Sequence, residues 1–516
     1  MALLRASATV GAYTMASRIL GFVRDILIAN FLGAGLIADA FVVAFRIPNL
    51  FRRLVAEGAF TAAFVPLFAR ELEENGQDAA LRFGNQALAI MLSALLVFTI
   101  LAEISMPLLL YALAPGYVED GEKFTLTVLF TRITFPYLLF MALVALLGGM
   151  LNAVYRFAAM SAAPVILNVV LITALLIGES AFQKPGHALV WGVAIAGFAQ
   201  LLWLVVASAR ADLKIKLGWP RWNPAMKKLS RMMLPGVIGG GVTQINIVVG
   251  TAIATLVGDG AVAYLYYADR IYQLPLGVVG IALGTALLPL LARQLRSGDE
   301  GGARDSINRA LEFAALLIIP ATIALLVIAD PIVSVLFRHG AFTEIDATAT
   351  TSALIAFSIG LPAYVLVKIL STGFFAREDT VTPVRVAIAA MAVNIVASLL
   401  LIGPLGHVGV ALATAIAAWL NTTILAFMLV RGGGLAIDAR LRRRLPRILL
   451  ASCVMGLTLW AANEALTTTF EGAVAARVVA LIVLVAAGLL VYAGAALGLG
   501  AASILDLKAQ LRRPSP

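Results

Sequence analysis

Cysteine occurs once in this sequence, at Cys453, and histidine three times, at His187, His339 and His407. One thiol forms no intramolecular disulfide and no cysteine-based metal site, and three scattered histidines make no ligand spacing. Cys453 lies in an apolar run and reads as a small buried hydrophobe. Charge is scarce too: 13% of residues are Asp, Glu, Lys or Arg, against about 25% in soluble domains. Ten-residue segments of alternating polarity are missing, which argues against a transmembrane β-barrel. A Gly-x-x-x-x-Gly-Lys-Ser/Thr nucleotide loop, a Ser–His–Asp order and a metal-binding pair of acids are missing as well. The sequence therefore reads as neither an enzyme nor an ATP-driven pump.

Apolar side chains are what the sequence has in excess. They make up 61% of its 516 residues, with a mean hydropathy of +0.98. Apolar runs of about 20 residues recur along its length, the mark of a polytopic helical membrane protein. Fourteen candidate spans lie near 10–32, 37–68, 85–112, 124–153, 159–179, 187–209, 232–257, 261–291, 309–337, 347–374, 383–403, 407–431, 446–465 and 474–500. The first exceeds a signal-peptide core and lacks a small-residue cleavage site, so it reads as a retained span. Of the 38 Lys and Arg, 26 fall in alternate connections and at the termini, including "RADLKIKLGWPRWNPAMKKLSR" and "RLRRRLPR". The opposite loops hold Lys123, Lys184, Arg338 and Arg477. This asymmetry places both termini in the cytoplasm and explains the net charge of +10 without nucleic-acid binding.

The chain repeats itself at a shift of about 224 residues. "VPLFAREL" (Val65–Leu72) recurs as "LPLLARQL" (Leu288–Leu295), Pro107 answers Pro331, Pro136 answers Pro362, and Asn168 answers Asn394. Two six-span halves follow, 1–218 and 219–435, then an unpaired two-span hairpin with a tail, 436–516. Halves of six spans are parallel, and transporters built this way place their site between the halves and rock them to alternate access. The repeated prolines read as hinges or kinks, and the glycine-rich "GVIGGGVTQ" (Gly236–Gln244) as helix packing or a pliable gating segment.

Eight cations fall within or at the ends of spans: Arg18, Arg24, Arg46, Arg52, Arg53, Arg132, Arg270 and Lys368. On a helix Arg18 and Asp25 lie within about 20° of each other, and Ser17 joins them on one polar stripe. Asp39, Arg46 and Arg53 follow at intervals of seven, with Glu57 four residues beyond Arg53. Arg18–Asp25 and Arg53–Glu57 can pair, and Asp39 and Asp269 can neutralise Arg46 and Arg270. Arg24 and Arg52 are then left without a carboxylate, which asks for an external anion. At the repeat shift Arg18 and Arg24 meet valines, so the cavity should be cationic mainly on its N-terminal wall. A gradient or the membrane potential remains as the driving force. A cation-coupled drug exporter, a non-transporting scaffold and a membrane glycosyltransferase are the alternatives.

The stretch "SRILGFVRDILIANFLGAG…ADAFVVAFRIPNLFRRLVAEGAFTAAFVPLFARE" closely resembles the N-terminal signature of the MurJ/MviN family, the bacterial lipid II flippases. "YYADRIYQLPLGVVGIALGTALLP", "LFRHGAF" and "FFAREDTVTP" extend the likeness over nearly the whole chain. The resemblance implies an all-α, V-shaped fold like that of the related MATE exporters, with a central cationic cavity. It implies a substrate, undecaprenyl-pyrophosphate bearing a disaccharide-pentapeptide, moved to the outer leaflet of the bacterial inner membrane, with a flippase for another prenyl-linked glycan as the alternative. It further implies a monomer among membrane lipids, with no cofactor and with coupling to membrane potential or a monovalent cation. By motif position its functional residues fall on Arg18, Arg24, Asp25, Asp39, Arg52 and Arg270, with Ser17, Glu57 and Asp269 in support. The last two spans would line a groove for the prenyl chain.

Overall fold

Apolar runs become helices nearly everywhere in the computed structural model, which describes residues 2–53, 60–181 and 185–502, and no strand occurs among them. The helices are α1 (Ala2–Leu32), α2 (Leu36–Phe51), α3 (Thr61–Ile104), α4 (Met106–Leu113), α5 (Gly121–Thr134), α6 (Tyr137–Ala153), α7 (Phe157–Ala181), α8 (Pro185–Arg210) and α9 (Pro224–Thr255). They continue with α10 (Ala261–Arg296), α11 (Glu300–Val327), α12 (Ala329–Phe337), α13 (Glu344–Phe375), α14 (Val381–Arg431), α15 (Ala439–Ala465), α16 (Thr467–Phe470) and α17 (Val474–Gly498). Gly76 in α3 and Gly406 in α14 take positive φ values of 78° and 54°, so each of these is two helical arms. Among the described residues, nine segments are long and apolar enough to cross a bilayer. The chain is a multi-pass membrane protein. Helices α1 and α2 are not among the nine, because charges interrupt the first and the second has only 16 residues.

Helix starts follow short polar side chains that accept from exposed backbone N–H groups. Asp120 caps α5, Asn223 caps α9 just before Pro224, Asp299 caps α11 and Asp438 caps α15. Thr343 begins α13 with a full capping box closed by Asp346. The repeat is visible in these details. A break at Ser105 between α3 and α4 has its counterpart at Ile328 between α11 and α12, and Pro107 and Pro331 follow in the first turn after each. Pro136 separates α5 from α6, whereas Pro362 sits inside the continuous α13.

The chain forms two compact units, Met1–Ala263 with Gly340–Phe342, and Tyr264–His339 with Thr343–Pro516. In the first, α6 is buried in an unbroken run from Met141 to Leu151. Its neighbours are α3, α7 and α8. Gly33 turns α1 into α2 with φ +64°, and a Cβ there would lie 2.5 Å from the Ala341 carbonyl oxygen. That approach lets the Ala341 N–H donate to the Asn30 carbonyl at 2.8 Å.

In the second unit α13 carries the long buried face, and α15 packs on α11 and α17. Met455, Leu459 and Leu484 close a small core with Ile328, and the Tyr492 hydroxyl donates to the Leu316 carbonyl at 2.6 Å. Leu457, Trp460, Leu489 and Leu490 stay exposed on the hairpin, as an apolar surface in contact with hydrocarbon must. Cys453 is exposed on α15 and not buried, because Ser452 and Met455 turn inward and leave it on the outer face.

Candidate functional site

Two polar clusters sit inside the first unit. In one, Arg24 on α1 is 8% exposed and Asp25 3%. The Arg24 guanidinium donates to Asp25 Oδ1 from Nη2 at 2.7 Å and from Nε at 3.1 Å. Nη1 donates to Asn168 Oδ1 on α7 at 2.9 Å. The Asn168 amide donates in turn to the Ser17 carbonyl at 2.9 Å. Gly21 faces Asn168 across the α1–α7 contact, and a Cβ there would meet its side chain at 3.5 Å.

This geometry corrects the expected pairing. Adjacent positions on a helix point about 100° apart, which is why Asp25 was expected to serve Arg18. The long Arg24 side chain instead folds back onto its chain neighbour, and Arg18 is exposed. Arg24 therefore has an internal carboxylate, contrary to the expectation that it lacks one.

The second cluster centres on Asp39 near the start of α2, which is fully buried. Its carboxylate accepts from Lys123 Nζ at 2.8 Å, from the Gly260 N–H at 2.8 Å and from the Ala263 N–H at 2.9 Å. Lys123, expected in a solvent-facing loop, is 2% exposed in the first turn of α5. It also donates to Asp259 Oδ1 at 2.6 Å and lies 4.1 Å from the centroid of the Tyr117 ring. Burial, reinforced by the carboxylates of Asp39 and Asp259, pushes the Tyr117 phenol well above its ordinary pKa. The ring thus stays neutral beside the ammonium. Asp39 does not meet Arg46, as had been expected; Arg46 donates to the Thr251 hydroxyl on α9.

Arg52 ends α2, where the backbone widens to π-helical geometry, and its Nε donates to Asn49 Oδ1 at 3.1 Å. Arg53 is exposed beside it, and Glu57 lies outside the described residues. In the second unit, Arg270 on α10 stacks 4.5 Å from the centroid of the Tyr266 ring, and Asp269 accepts from Gln273 one turn on. Asp269 thus serves Gln273.

Residues 28–489 match the family model described as lipid II flippase MurJ. The chain belongs to the MurJ family. A probable lipid II flippase MurJ of Rhizobium tropici is 48% identical over 460 residues, covering 88% of this chain and 86% of that protein. Among solved structures, lipid II flippase MurJ in an inward closed conformation matches with a TM-score of 0.76 at 25% identity. It covers 94% of this chain and 97% of that one. An inward-facing MATE family multidrug transporter of the MOP superfamily matches at 0.71 with 14% identity, over 81% of this chain and 94% of that one, a likeness of fold.

Within this MurJ-family chain, sequence reasoning missed the roles of Asn168 and Lys123. Asn168 did carry a signal, as a polar residue in an apolar run that returns as the equally buried Asn394. Lys123 carried none, since its partners stand 84 and 136 residues away.

Proposed function

We propose that this chain flips lipid II from the inner to the outer leaflet of the bacterial cytoplasmic membrane by alternating access, supplying peptidoglycan synthesis and so cell shape. The observation that carries the reading is a buried arginine on the first helix of a MurJ-family chain, held by an internal anion that a phosphate can replace. Asp25 and Asn168 occupy the Arg24 guanidinium in this structure. A pyrophosphate carries more charge than one carboxylate and offers paired oxygens to the guanidinium fork. Its arrival would displace Asp25 and free a negative charge within α1. Loading is thereby coupled to an electrostatic change in the helix that carries the site.

In this reading Arg52 and Arg270 are further phosphate contacts, and the exposed Arg18 is the first charge that the headgroup meets. Ser17, Glu57 and Asp269 support them. Asp39 governs closure, because its bonds to the Gly260 and Ala263 N–H groups tie the start of α10 to α2, and its bond to Lys123 adds α5. The six-span halves and the hairpin are the moving and scaffold parts, both termini are cytoplasmic, and the apolar hairpin faces the prenyl chain. The protein moves its substrate without altering it, and the driving force is the membrane potential or a cation gradient.

The test is complementation of a conditional flippase-depletion strain, read as lipid II accessible on the outer face. The wild-type chain should restore accessibility and cell shape, and Arg24→Ala should do neither while still inserting. A fully active Arg24→Ala protein would overturn the site. A wild-type chain that is expressed but leaves lipid II inside would overturn the substrate.

A further inference from the structure

Helices α8 and α9 are joined by residues 211–223, which form no helix. Residues 214–231 hold six cations, Lys214, Lys216, Arg221, Lys227, Lys228 and Arg231, and no Asp or Glu. All six are exposed, and none forms an ion pair with a described residue. Lys227, Lys228 and Arg231 share one face of the first turns of α9. The same stretch exposes Leu217, Trp219 and Trp222, with Trp219 at 86%. One exposed apolar side chain is ordinary, but two tryptophans and a leucine within six residues make an apolar patch. This stretch is held in place. Leu213, Met226 and Leu229 are buried, and three side chains of α3 bond its backbone. Gln77 donates to the Asp212 carbonyl at 3.2 Å, and Gln86 to the Arg221 carbonyl at 2.7 Å. Asn85 donates to the Lys214 carbonyl at 3.3 Å and accepts from the Lys216 N–H at 3.1 Å. Because these clamps grip main chain, the cationic and indole side chains stay outside. Asn85 and Gln86 directly precede residues 87–102, the charge-free stretch of α3, and Arg210 ends the span of α8. Both mark the level where apolar helix gives way to polar chain, which in a membrane is the headgroup layer.

We infer that this connection is a docking surface for anionic phospholipid headgroups, with Trp219 and Trp222 seated at the bilayer interface. An anionic leaflet offers opposite charge over a plane, which suits six cations spread along the chain rather than gathered in one pocket. Indole is apolar with a single N–H donor, and it settles where hydrocarbon meets water. An acidic protein would also meet the charge, but lipid headgroups are what a surface clamped at this level meets first. The inference does not rest on the flippase reading, since docking is read without transport.

The experiment uses the full chain with Cys453→Ala and Gly218→Cys, spin-labelled at position 218, in nanodiscs of phosphatidylcholine with or without phosphatidylglycerol. Gly218 stands between Leu217 and Trp219 with open space around it. Phosphatidylglycerol should cut collisions of the label with a water-soluble nickel chelate severalfold and raise those with oxygen. High salt should weaken the change, because it screens the attraction. Lys214→Gln, Lys216→Gln and Arg221→Gln together should abolish the response, and since all three side chains are exposed the fold should persist. Trp219→Ser with Trp222→Ser should remove the gain in oxygen collisions. A label at Thr468→Cys on α16, near Glu471, should ignore phosphatidylglycerol. Equal collision rates with and without phosphatidylglycerol, or a response that survives the triple variant, would overturn the surface. An oxygen gain that survives loss of both tryptophans would overturn their seating.

Discussion

Asn168 holds Arg24 and Ser17 at once: its Oδ1 accepts from the guanidinium at 2.9 Å, and its amide donates to the Ser17 carbonyl at 2.9 Å. One side chain on α7 thus sets both the aim of the cation and the seat of α1. Hydrogen bonds to charged groups contribute about 1.5–3 kcal/mol. Asn168→Ala should therefore lower lipid II transport roughly ten- to hundredfold while Arg24 stays paired with Asp25. Outer-face lipid II at matched protein abundance is the measurement, and an Asn168→Ala protein of wild-type activity would contradict this role.

Asp39 and Lys123 form a pair in which each partner is almost wholly shielded. Removing one member of a buried pair typically costs about 3–5 kcal/mol where the other is left charged and unpaired, and less for Asp39→Ala, which leaves Lys123 its bond to Asp259. Asp39→Ala and Lys123→Ala should each lower the thermal stability of the purified protein markedly. The double variant should lose much less than the sum. Additive losses in the cycle would mean that the two side chains act separately.

Gly116 lies against the end of α9, where a Cβ would sit 2.0 Å from the Thr255 carbonyl oxygen. Backbone cannot step aside as a side chain does, so Gly116→Ala should destabilise by about 1–3 kcal/mol through overpacking. Gly218→Ala, with open space around it, is the matched control. Equal melting temperatures for the two variants would refute the contact.

Glu312 gathers three arginines, Arg309, Arg440 and Arg444, at the junction of α11 and α15. Its side chain is 11% exposed but Arg440 is 42% exposed, so solvent screens part of the attraction. Glu312→Ala should loosen the seating of α15 by about 1–2 kcal/mol, seen as faster proteolysis between Arg431 and Arg447. High salt should narrow the gap from wild type, since it screens the arginines left facing one another. A gap independent of salt would point to packing instead.

The helical membrane class, the repeat and the final hairpin were legible in the residues, because each depends on local composition or on collinear similarity. The caps are equally local: Asp120 and Thr343 act within three residues of themselves. Helical spacing did bring the charges of α1 into view. It failed on Asp25, because a spacing argument treats side chains as fixed spokes and arginine is long enough to bend round to its neighbour.

The sequence by itself determined what kind of molecule this is: apolar runs must become helices in a bilayer, where every backbone group needs an internal partner. It also determined that cations must lie within those helices. Which partner each cation takes was decided by the tertiary structure. Asn168 stands 144 residues from Arg24, and Lys123 stands 84 from Asp39. Periodicity extends only along one helix, whereas a buried charge is satisfied by whichever groups the packing of separate helices brings within about 3 Å of it.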